Sequence, residues 1–173
     1  MPGQTLSRLL ATVSFVLFGG LILAGSAAAL EPPTGKVILT ISGKIADPNR
    51  GNAAVFDLAM LQKLPQQSFT TSTPWYPKPI KFQGPLLRDV LAAAKAKGLT
   101  LKAMALNDYQ TTIPFEDAAQ FDVILATHMD DEVIPVRTKG PLFIVYPYDS
   151  KDVLRATVYY ERSAWQLKSL VVE

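Results

Sequence analysis

The chain has no cysteine and a single histidine, His128, among its 173 residues. The missing thiols exclude disulfides, zinc ribbons, iron–sulfur clusters and cysteine nucleophiles, and one imidazole removes most histidine-based metal sites. Charge is also sparse and balanced, since 17 Lys and Arg against 15 Asp and Glu give a net charge of +2. No basic run provides an electrostatic footprint for nucleic acid or for an anionic membrane surface. The length suits one domain with one sizeable core.

One long hydrophobic run is present, at the N-terminus. Arg8 precedes an uncharged, mostly apolar stretch over residues 9–24, and small residues follow up to Ala29. This arrangement is typical of a secretory signal peptide, which has a positively charged start, an apolar segment shorter than a transmembrane helix and an Ala-x-Ala end. An uncleaved N-terminal anchor is the alternative. We expect residues 1–29 to be a cleaved signal peptide, residues 30–173 to be one domain, and the mature protein to be periplasmic.

The mature chain alternates short β-branched runs with turn residues, which predicts a single, sheet-rich α+β domain. A short helix is expected after Asp57, which is a good N-cap residue. A longer helix is expected from Pro85 to Lys97, where it would cover one face of the sheet. The main predicted strands are residues 37–43, 68–73, 101–106, 123–127, 142–146 and 165–172.

Two polar features are weak indications of chemistry. His128 follows a predicted strand and could act as a catalytic base, but nothing nearby resembles a nucleophile elbow. We interpret it as a histidine at a strand edge that is hydrogen-bonded to backbone. The acidic run at residues 130–132 could hold a hard cation, but it lacks the spaced ligands and the glycine of a calcium loop. It is typical of a solvated hairpin tip.

The loop that follows the strand at residues 68–73 is the most informative segment. Thr71 and Thr73 stand beside Trp75 where the strand ends, and strand ends are where open sheets place ligand contacts. Trp75 offers a face for a flat heterocycle, and the hydroxyls can both donate and accept hydrogen bonds. The alternative interpretation is that Trp75 fills the core beneath a proline-rich loop.

Two further turns are candidates. Asn107-Asp108-Tyr109 separates two apolar strands and is either an Asx-turn or a site where the Asp108 carboxylate accepts N–H groups from an amino-pyrimidine edge. The turn from Arg137 to Gly140 is positive and precedes a strand, so it could anchor a phosphate or a carbonyl.

Five motifs occur in the order seen in the molybdopterin-binding domain of the sulfite oxidase family. They are residues 82–91 (FQGPLLRDVL), Asn107-Asp108-Tyr109, residues 124–126 (ILA), residues 140–142 (GPL) with Tyr146-Pro147, and Trp165. The resemblance covers the chain from about residue 37 to residue 172 and implies the mixed α+β fold of that domain. Trp165 is expected to be a core residue.

The resemblance also shows a departure. Enzymes of the family bind molybdenum through a cysteine thiolate, which would fall within residues 69–73, and hold the pyranopterin phosphate with His and Arg side chains. This chain has no cysteine, and Phe143 stands about where an Arg is expected. It is therefore similar to a small exported, pterin-binding branch of the family, the PruR-like proteins, which act with an inner-membrane partner that controls cyclic-di-GMP. This implies a pterin ligand without molybdenum, and a non-catalytic role in sensing that pterin or presenting it to the periplasmic domain of an inner-membrane sensor or cyclic-di-GMP enzyme.

The same resemblance implies where the pterin binds. Trp75 would lie against the ring, Asn107 and Asp108 at its amino edge, and Arg137 at a carbonyl or at the ring's side chain. The full set of implied binding residues is Thr71, Thr73, Trp75, Asn107, Asp108, Tyr109, Arg137 and Gly140, with no catalytic residue and no metal ligand. One alternative is a molybdopterin-dependent oxidoreductase domain or subunit of sulfite oxidase type, whose metal is held by the pterin alone or by a hydroxyl of residues 71–73. Another is a structural accessory to a membrane complex.

Overall fold

The structure is a computed structural model that describes residues 29–173. The predicted signal peptide, apart from Ala29, lies outside the described residues. Within residues 29–173, no helix combines the length and the hydropathy needed to cross a membrane.

The described residues form eleven short strands and four short helices in one mixed α+β domain. The strands are β1 (Val37–Gly43), β2 (Ala54–Asp57), β3 (Gln66–Thr71), β4 (Ile80–Pro85), β5 (Thr100–Ala105), β6 (Gln110–Pro114), β7 (Ile124–Ala126), β8 (His128–Met129), β9 (Glu132–Val133), β10 (Phe143–Val145) and β11 (Leu167–Val172). The helices are α1 (Leu58–Lys63), α2 (Leu87–Ala93), α3 (Asp117–Gln120) and α4 (Thr157–Glu161), with 3-10 turns at Tyr148–Ser150 and Asp152–Arg155. The predicted fold class is therefore confirmed.

A mixed sheet forms the first layer, with the strand order β2-β1-β11-β5-β6. The last strand, β11, lies between β1, to which it is parallel, and β5, to which it is antiparallel. Side chains alternate along these strands, so Leu39 and Ile41 of β1 and Leu101 and Ala103 of β5 are fully buried. The predicted strand at residues 165–172 starts two residues later than expected, at Leu167.

The second layer contains the sheet β3-β4-β8-β9 and the pair β7-β10. β3 and β4 pair antiparallel over their full length, with Phe69 opposite Phe82. Thr127, which lies between β7 and β8, connects the four-stranded sheet to the β7-β10 pair, because its backbone N–H donates to the carbonyl of Gln83 at 2.9 Å. The loop that contains Trp75 is thus the connection between two paired strands.

The predicted helix from Pro85 to Lys97 is wrong at both ends. Pro85 is the last residue of β4, because pairing with β3 and burial of Phe82 override the local helical pattern. A Cβ atom on Gly84 would collide with the carbonyl oxygen of Leu125, so close approach of two backbones requires this glycine. The helix itself ends at Ala93, and Lys95 has a φ of 49° that no α-helix accommodates.

The predicted N-cap is confirmed. The Asp57 carboxylate accepts the backbone N–H groups of Met60 (2.8 Å), Thr34 (2.9 Å) and Gly35 (2.6 Å). It therefore satisfies the first turn of α1 and fixes the segment before β1 at the same time. These hydrogen bonds, first that of Met60 and then that of Gly35, lower the pKa of Asp57 below its ordinary value.

Replacing Asp57 by Ala is expected to lower the melting temperature at neutral pH, because three backbone N–H groups lose their acceptor. Because the fold lowers this pKa, the ionised carboxylate contributes its full stability above the ordinary pKa of about 4, and the contribution is lost as the pH falls through the folded-state pKa. The gap in melting temperature between wild type and Asp57→Ala should therefore narrow in acid. Thermal denaturation across an acid pH series measures it. Asp152→Ala, at a side chain that is 98% exposed, is the control; a gap that stays constant in acid would contradict the expectation.

Candidate functional site

Trp75 lies at the centre of a group of aromatic rings between the two layers. Its ring centroid is 5.4 Å from that of Trp165 and 5.5 Å from that of Phe143. Tyr160 and Tyr148 stand edge-on to it at 6.0 Å and 6.3 Å. Such tilted and edge-to-face pairs add about 0.5–1.5 kcal/mol each to the effect of burial. The indole is half-buried, so it packs on the core and also faces a cavity.

This aromatic cavity has a volume of about 250 Å³. It is lined by Trp75, Asn107, Tyr109, Tyr160, Glu161, Ser163 and Trp165. Three segments meet here: the loop after β3, the turn between β5 and β6, and the end of α4 with the residues that follow. The volume lies just below the ~300–1,000 Å³ of sites for drug-sized ligands, so it suits a small flat molecule. Of the predicted binding residues, the structure brings together Trp75, Asn107 and Tyr109.

Hydrogen bonds hold the walls of the aromatic cavity in place. The Tyr109 hydroxyl donates to the backbone carbonyl of Glu161 at 2.6 Å, which ties the turn after β5 to the end of α4. The Ser163 hydroxyl donates to the carbonyl of Tyr159 at 2.6 Å and lies 2.5 Å from the Tyr148 hydroxyl. Burial raises the pKa of Tyr148, so its hydroxyl stays protonated. The cavity therefore has polar edges between aromatic walls.

Trp165 lines this cavity, and the prediction that it belongs to the core needs correction. The side chain is half-buried. Its backbone forms a bridge with Phe143, and its ring lies 6.1 Å from the ring of Phe143. Tyr160, Glu161 and Ser163 had no distinguishing pattern in the sequence, because they reach the site through the tertiary packing of α4.

Asp108 does not lie where a buried carboxylate was expected. Its side chain is 91% exposed, it is not among the residues that line the aromatic cavity, and Lys168 Nζ approaches it at 3.4 Å. The residue has a φ of 64°, which is the left-handed position of a tight turn and directs its side chain outward. The Asn107 side chain accepts the backbone N–H of Tyr109 at 3.2 Å, as in an Asx-turn. Asn107 therefore forms the Asx-turn and also lines the aromatic cavity.

The positive turn contributes a different residue from the one expected. Arg137 is exposed and is not part of the cavity lining. Gly140 is buried, and a Cβ atom there would overlap the carbonyl oxygen of Ile134, so packing explains this glycine. It is Lys139 that reaches the aromatic group, with Nζ 3.6 Å from the ring centroid of Trp165 and 5.5 Å from that of Trp75. Burial lowers the pKa of Lys139.

The threonines at the end of β3 have two different environments. Thr71 is buried, and its hydroxyl accepts the backbone N–H of Asp149 at 3.1 Å. In return, the Asp149 carboxylate accepts the N–H of Ser72 at 2.6 Å, and this bond is the main reason that the pKa of Asp149 is lowered. The Thr73 hydroxyl is buried and has no hydrogen-bond partner among the described residues. A bound molecule that supplied a partner would remove the cost of this unpaired group.

These donors do not suit a thiolate-type molybdenum site. The segment in which the family's cysteine would fall offers hydroxyls only, and that of Thr71 is already engaged with Asp149. Among residues 29–173, no group of three or more His, Cys, Asp or Glu side chains could hold a metal ion. The aromatic cavity, by contrast, has the chemistry of a site for a flat heterocycle.

His128 and the acidic run lie apart from the aromatic cavity lining. His128 Nδ1 is 2.8 Å from the Thr127 hydroxyl, so its partner is a side chain rather than the expected backbone group. Asp130 accepts the backbone N–H of Lys81, and Asp131 pairs with the Lys81 ammonium at 2.7 Å. These acids form the tip of the β8–β9 hairpin, as predicted.

Among the described residues, larger hollows of about 430, 530 and 400 Å³ contain none of the predicted binding residues. In the first, Arg88 is paired with Asp122 at 2.8 Å. The second opens on the outer face of the β1-β11 pair, and the third lies beside Leu99 and Phe115. None of the three combines two tryptophan rings with polar edges.

Comparison with known proteins gives one family-model match and similar solved structures. Residues 65–149 match the family model of the oxidoreductase molybdopterin binding domain, a segment that includes the Trp75 loop and the turn at 107–109. A search of curated protein sequences found no match. Among solved structures, the sulfane dehydrogenase SoxCD from Paracoccus pantotrophus is similar, with a TM-score of 0.58 and 18% sequence identity. The similarity covers 78% of this chain and 37% of that chain, so this chain spans little more than a third of the other's length. Residues 65–149 therefore match an oxidoreductase-type molybdopterin-binding domain, and the fold of the described residues is the sulfite oxidase-like fold that the five motifs predict.

Proposed function

We propose that this protein is a periplasmic pterin-binding protein without catalytic turnover, which senses a pterin or presents it to an inner-membrane signalling partner that controls cyclic-di-GMP. The observation that carries the proposal is the aromatic cavity, which both tryptophans line. Its walls give a bicyclic ring large apolar faces, and its edges give the ring heteroatoms hydrogen-bonding partners.

Different residues of the cavity would contact the faces and the edges of a pterin ring. Trp75 and Trp165 supply ring faces, and base–aromatic stacking contributes about 1–3 kcal/mol per flat base. Asn107 supplies its amide N–H groups as donors, since its Oδ1 accepts the N–H of Tyr109, and Ser163 can act only as an acceptor, because its hydroxyl donates to Tyr159. Thr73, two residues before Trp75, has a buried hydroxyl without a partner among the described residues, but it is not one of the residues that line the cavity.

The proposal that molybdenum is absent rests on donor chemistry. Soft thiolate ligands are what the family's enzymes offer to the metal, and residues 69–73 of this chain offer hydroxyl groups instead. Export is proposed from the N-terminal segment, residues 1–29. The signalling partner is proposed from the resemblance to PruR-like proteins.

A second candidate function is a molybdopterin-dependent oxidoreductase domain. It is favoured by the match of residues 65–149 to an oxidoreductase domain model and by the structural similarity to a protein described as a dehydrogenase. In this case the metal would be held by its pterin or by an oxygen ligand from Thr71, Ser72 or Thr73. The two candidates differ in metal content, which can be measured directly.

Metal analysis of protein purified from the periplasm is expected to find molybdenum well below one atom per chain, because no thiolate is available to bind it. Inductively coupled plasma mass spectrometry after gel filtration is the measurement. A thiolate-ligated molybdoenzyme produced in the same cells is the control for cofactor supply. Molybdenum near one atom per chain that survives gel filtration would overturn the binding-protein proposal in favour of the oxidoreductase.

Reduced pterins are expected to bind and to quench tryptophan fluorescence, since both tryptophans line the cavity. Trp75→Ala should weaken binding by about 1–3 kcal/mol, the range for loss of a stacked aromatic contact. Trp75→Phe, which keeps an aromatic face, should lose less. Isothermal titration measures the affinities, and the melting temperature of each ligand-free variant shows whether the fold is intact. Leu99→Ala, at a side chain that is 81% exposed, is the control. An unchanged affinity in Trp75→Ala would place the binding site elsewhere.

A further inference from the structure

Glu161 is the one acidic residue among the seven that line the aromatic cavity. It is the last residue of α4 and its side chain is exposed. No described residue donates a hydrogen bond to its carboxylate or forms an ion pair with it, whereas Asp108, the nearby acid of the 107–109 turn, is approached by Lys168. Glu161 is therefore a residue of the cavity lining whose exposed carboxylate has free acceptor capacity.

The backbone around Glu161 is anchored on both sides. Its own carbonyl accepts the Tyr109 hydroxyl at 2.6 Å. The next residue, Arg162, donates from Nη1 to the buried carboxylate of Asp117 at 2.9 Å, and Ser163 lies within hydrogen-bonding distance of the Tyr148 hydroxyl. These contacts place the Cα of Glu161 at a defined position relative to the two indole rings. Only the side-chain torsions remain free to meet a ligand.

An ionised carboxylate only accepts hydrogen bonds, and it can accept two parallel bonds from adjacent N–H groups. The 2-amino-4-oxo ring of a pterin presents such a pair, namely the 2-amino group and the neighbouring ring N3–H. A 2,4-dioxo pteridine, a lumazine, keeps the N3–H but replaces the amino group by a carbonyl oxygen. That oxygen would face the carboxylate without a proton between them, which is unfavourable.

We infer that Glu161 selects for the 2-amino-4-oxo pteridine ring by accepting hydrogen bonds from its amino group and N3–H. The inference rests on the proposed function and deepens it, because it names the edge of the ligand that is recognised and the residue that recognises it. Glu161 thereby takes the part that the family resemblance implied for Asp108. Tyr109, the residue after Asp108, connects the two segments, because its hydroxyl donates to the backbone carbonyl of Glu161.

The test compares 6-methylpterin with 6-methyllumazine, both in their reduced 7,8-dihydro forms, by isothermal titration on the full mature protein. Wild type is expected to prefer the pterin by about tenfold or more, the factor that corresponds to hydrogen bonds with a charged group. Glu161→Gln keeps the side-chain volume and adds an amide donor. It is expected to lose about tenfold in pterin affinity and to keep or gain lumazine affinity, so that the preference disappears.

Asp108→Asn is the matched control, because it makes the same acid-to-amide change next to the same wall at a left-handed position that Asn tolerates. It is expected to keep the wild-type preference. An undiminished preference in Glu161→Gln, an equal loss of both ligands, or a loss of preference confined to Asp108→Asn would each overturn the role of Glu161. If wild type binds 6-methylpterin with a Trp75-dependent affinity, the proposed function stands whatever Glu161 does. If it binds neither ligand, the proposed function and this inference both fail.

Discussion

The packing of Phe143 is the contact on which the rest of the site depends. Its fully buried ring touches Phe82 on one side, at 5.7 Å between centroids, and Trp75 and Trp165 on the other. It therefore connects the β3-β4 sheet to the residues that precede β11, and it holds the two indoles that form the walls of the aromatic cavity. The family resemblance leads one to expect an Arg near this position. Phe143 offers hydrophobic support at this position and no charge that could bind a phosphate.

The charged groups near the site are arranged around this apolar support. Lys139 lies over Trp165, and removal from water lowers its pKa, although the aromatic faces offset part of the cost of burying its charge. Behind the residues that follow α4, the buried carboxylate of Asp117 accepts both the Tyr146 hydroxyl at 2.7 Å and the Arg162 guanidinium at 2.9 Å. Each buried charge is thus matched by a ring or by a partner, which is the condition for keeping it in the interior. The paired groups give the residues after α4 a rigid position.

The end of β3 carries hydroxyl groups where a thiolate-ligated metal centre would carry a cysteine. Thr71 and Ser72 are tied to the turn at residues 148–150 through Asp149, so the hydroxyl-bearing segment is held by protein contacts. A metal-binding thiolate in this segment would need to face a ligand instead. The family's fold is retained, while the donors at this strand end differ from those of a thiolate-ligated metal centre.

Features that depend on near neighbours could be predicted from the residues alone. These are the Asp57 cap, the alternation of β1 and β5 and the hairpin tip at Asp130 and Asp131, because caps, strand periodicity and turns involve residues a few positions apart. The Asx-turn at Asn107 was one of two interpretations that the local pattern allowed. Trp75 also stood out, since a large ring beside hydroxyls and prolines is rare on a loop.

The rest of the site depends on contacts between residues that are far apart in the chain. Glu161 and Tyr109 are 52 residues apart, and Asp149 and Thr71 are 78 apart, so no local pattern relates them. The end of β4 was mistaken for a helix for the same reason: its strand partners lie at β3 and β8, and their pairing outweighs the helical pattern around Pro85. The direction of the Asp108 side chain followed from one left-handed residue in a turn. Long-range packing therefore determines which polar residues line the aromatic cavity.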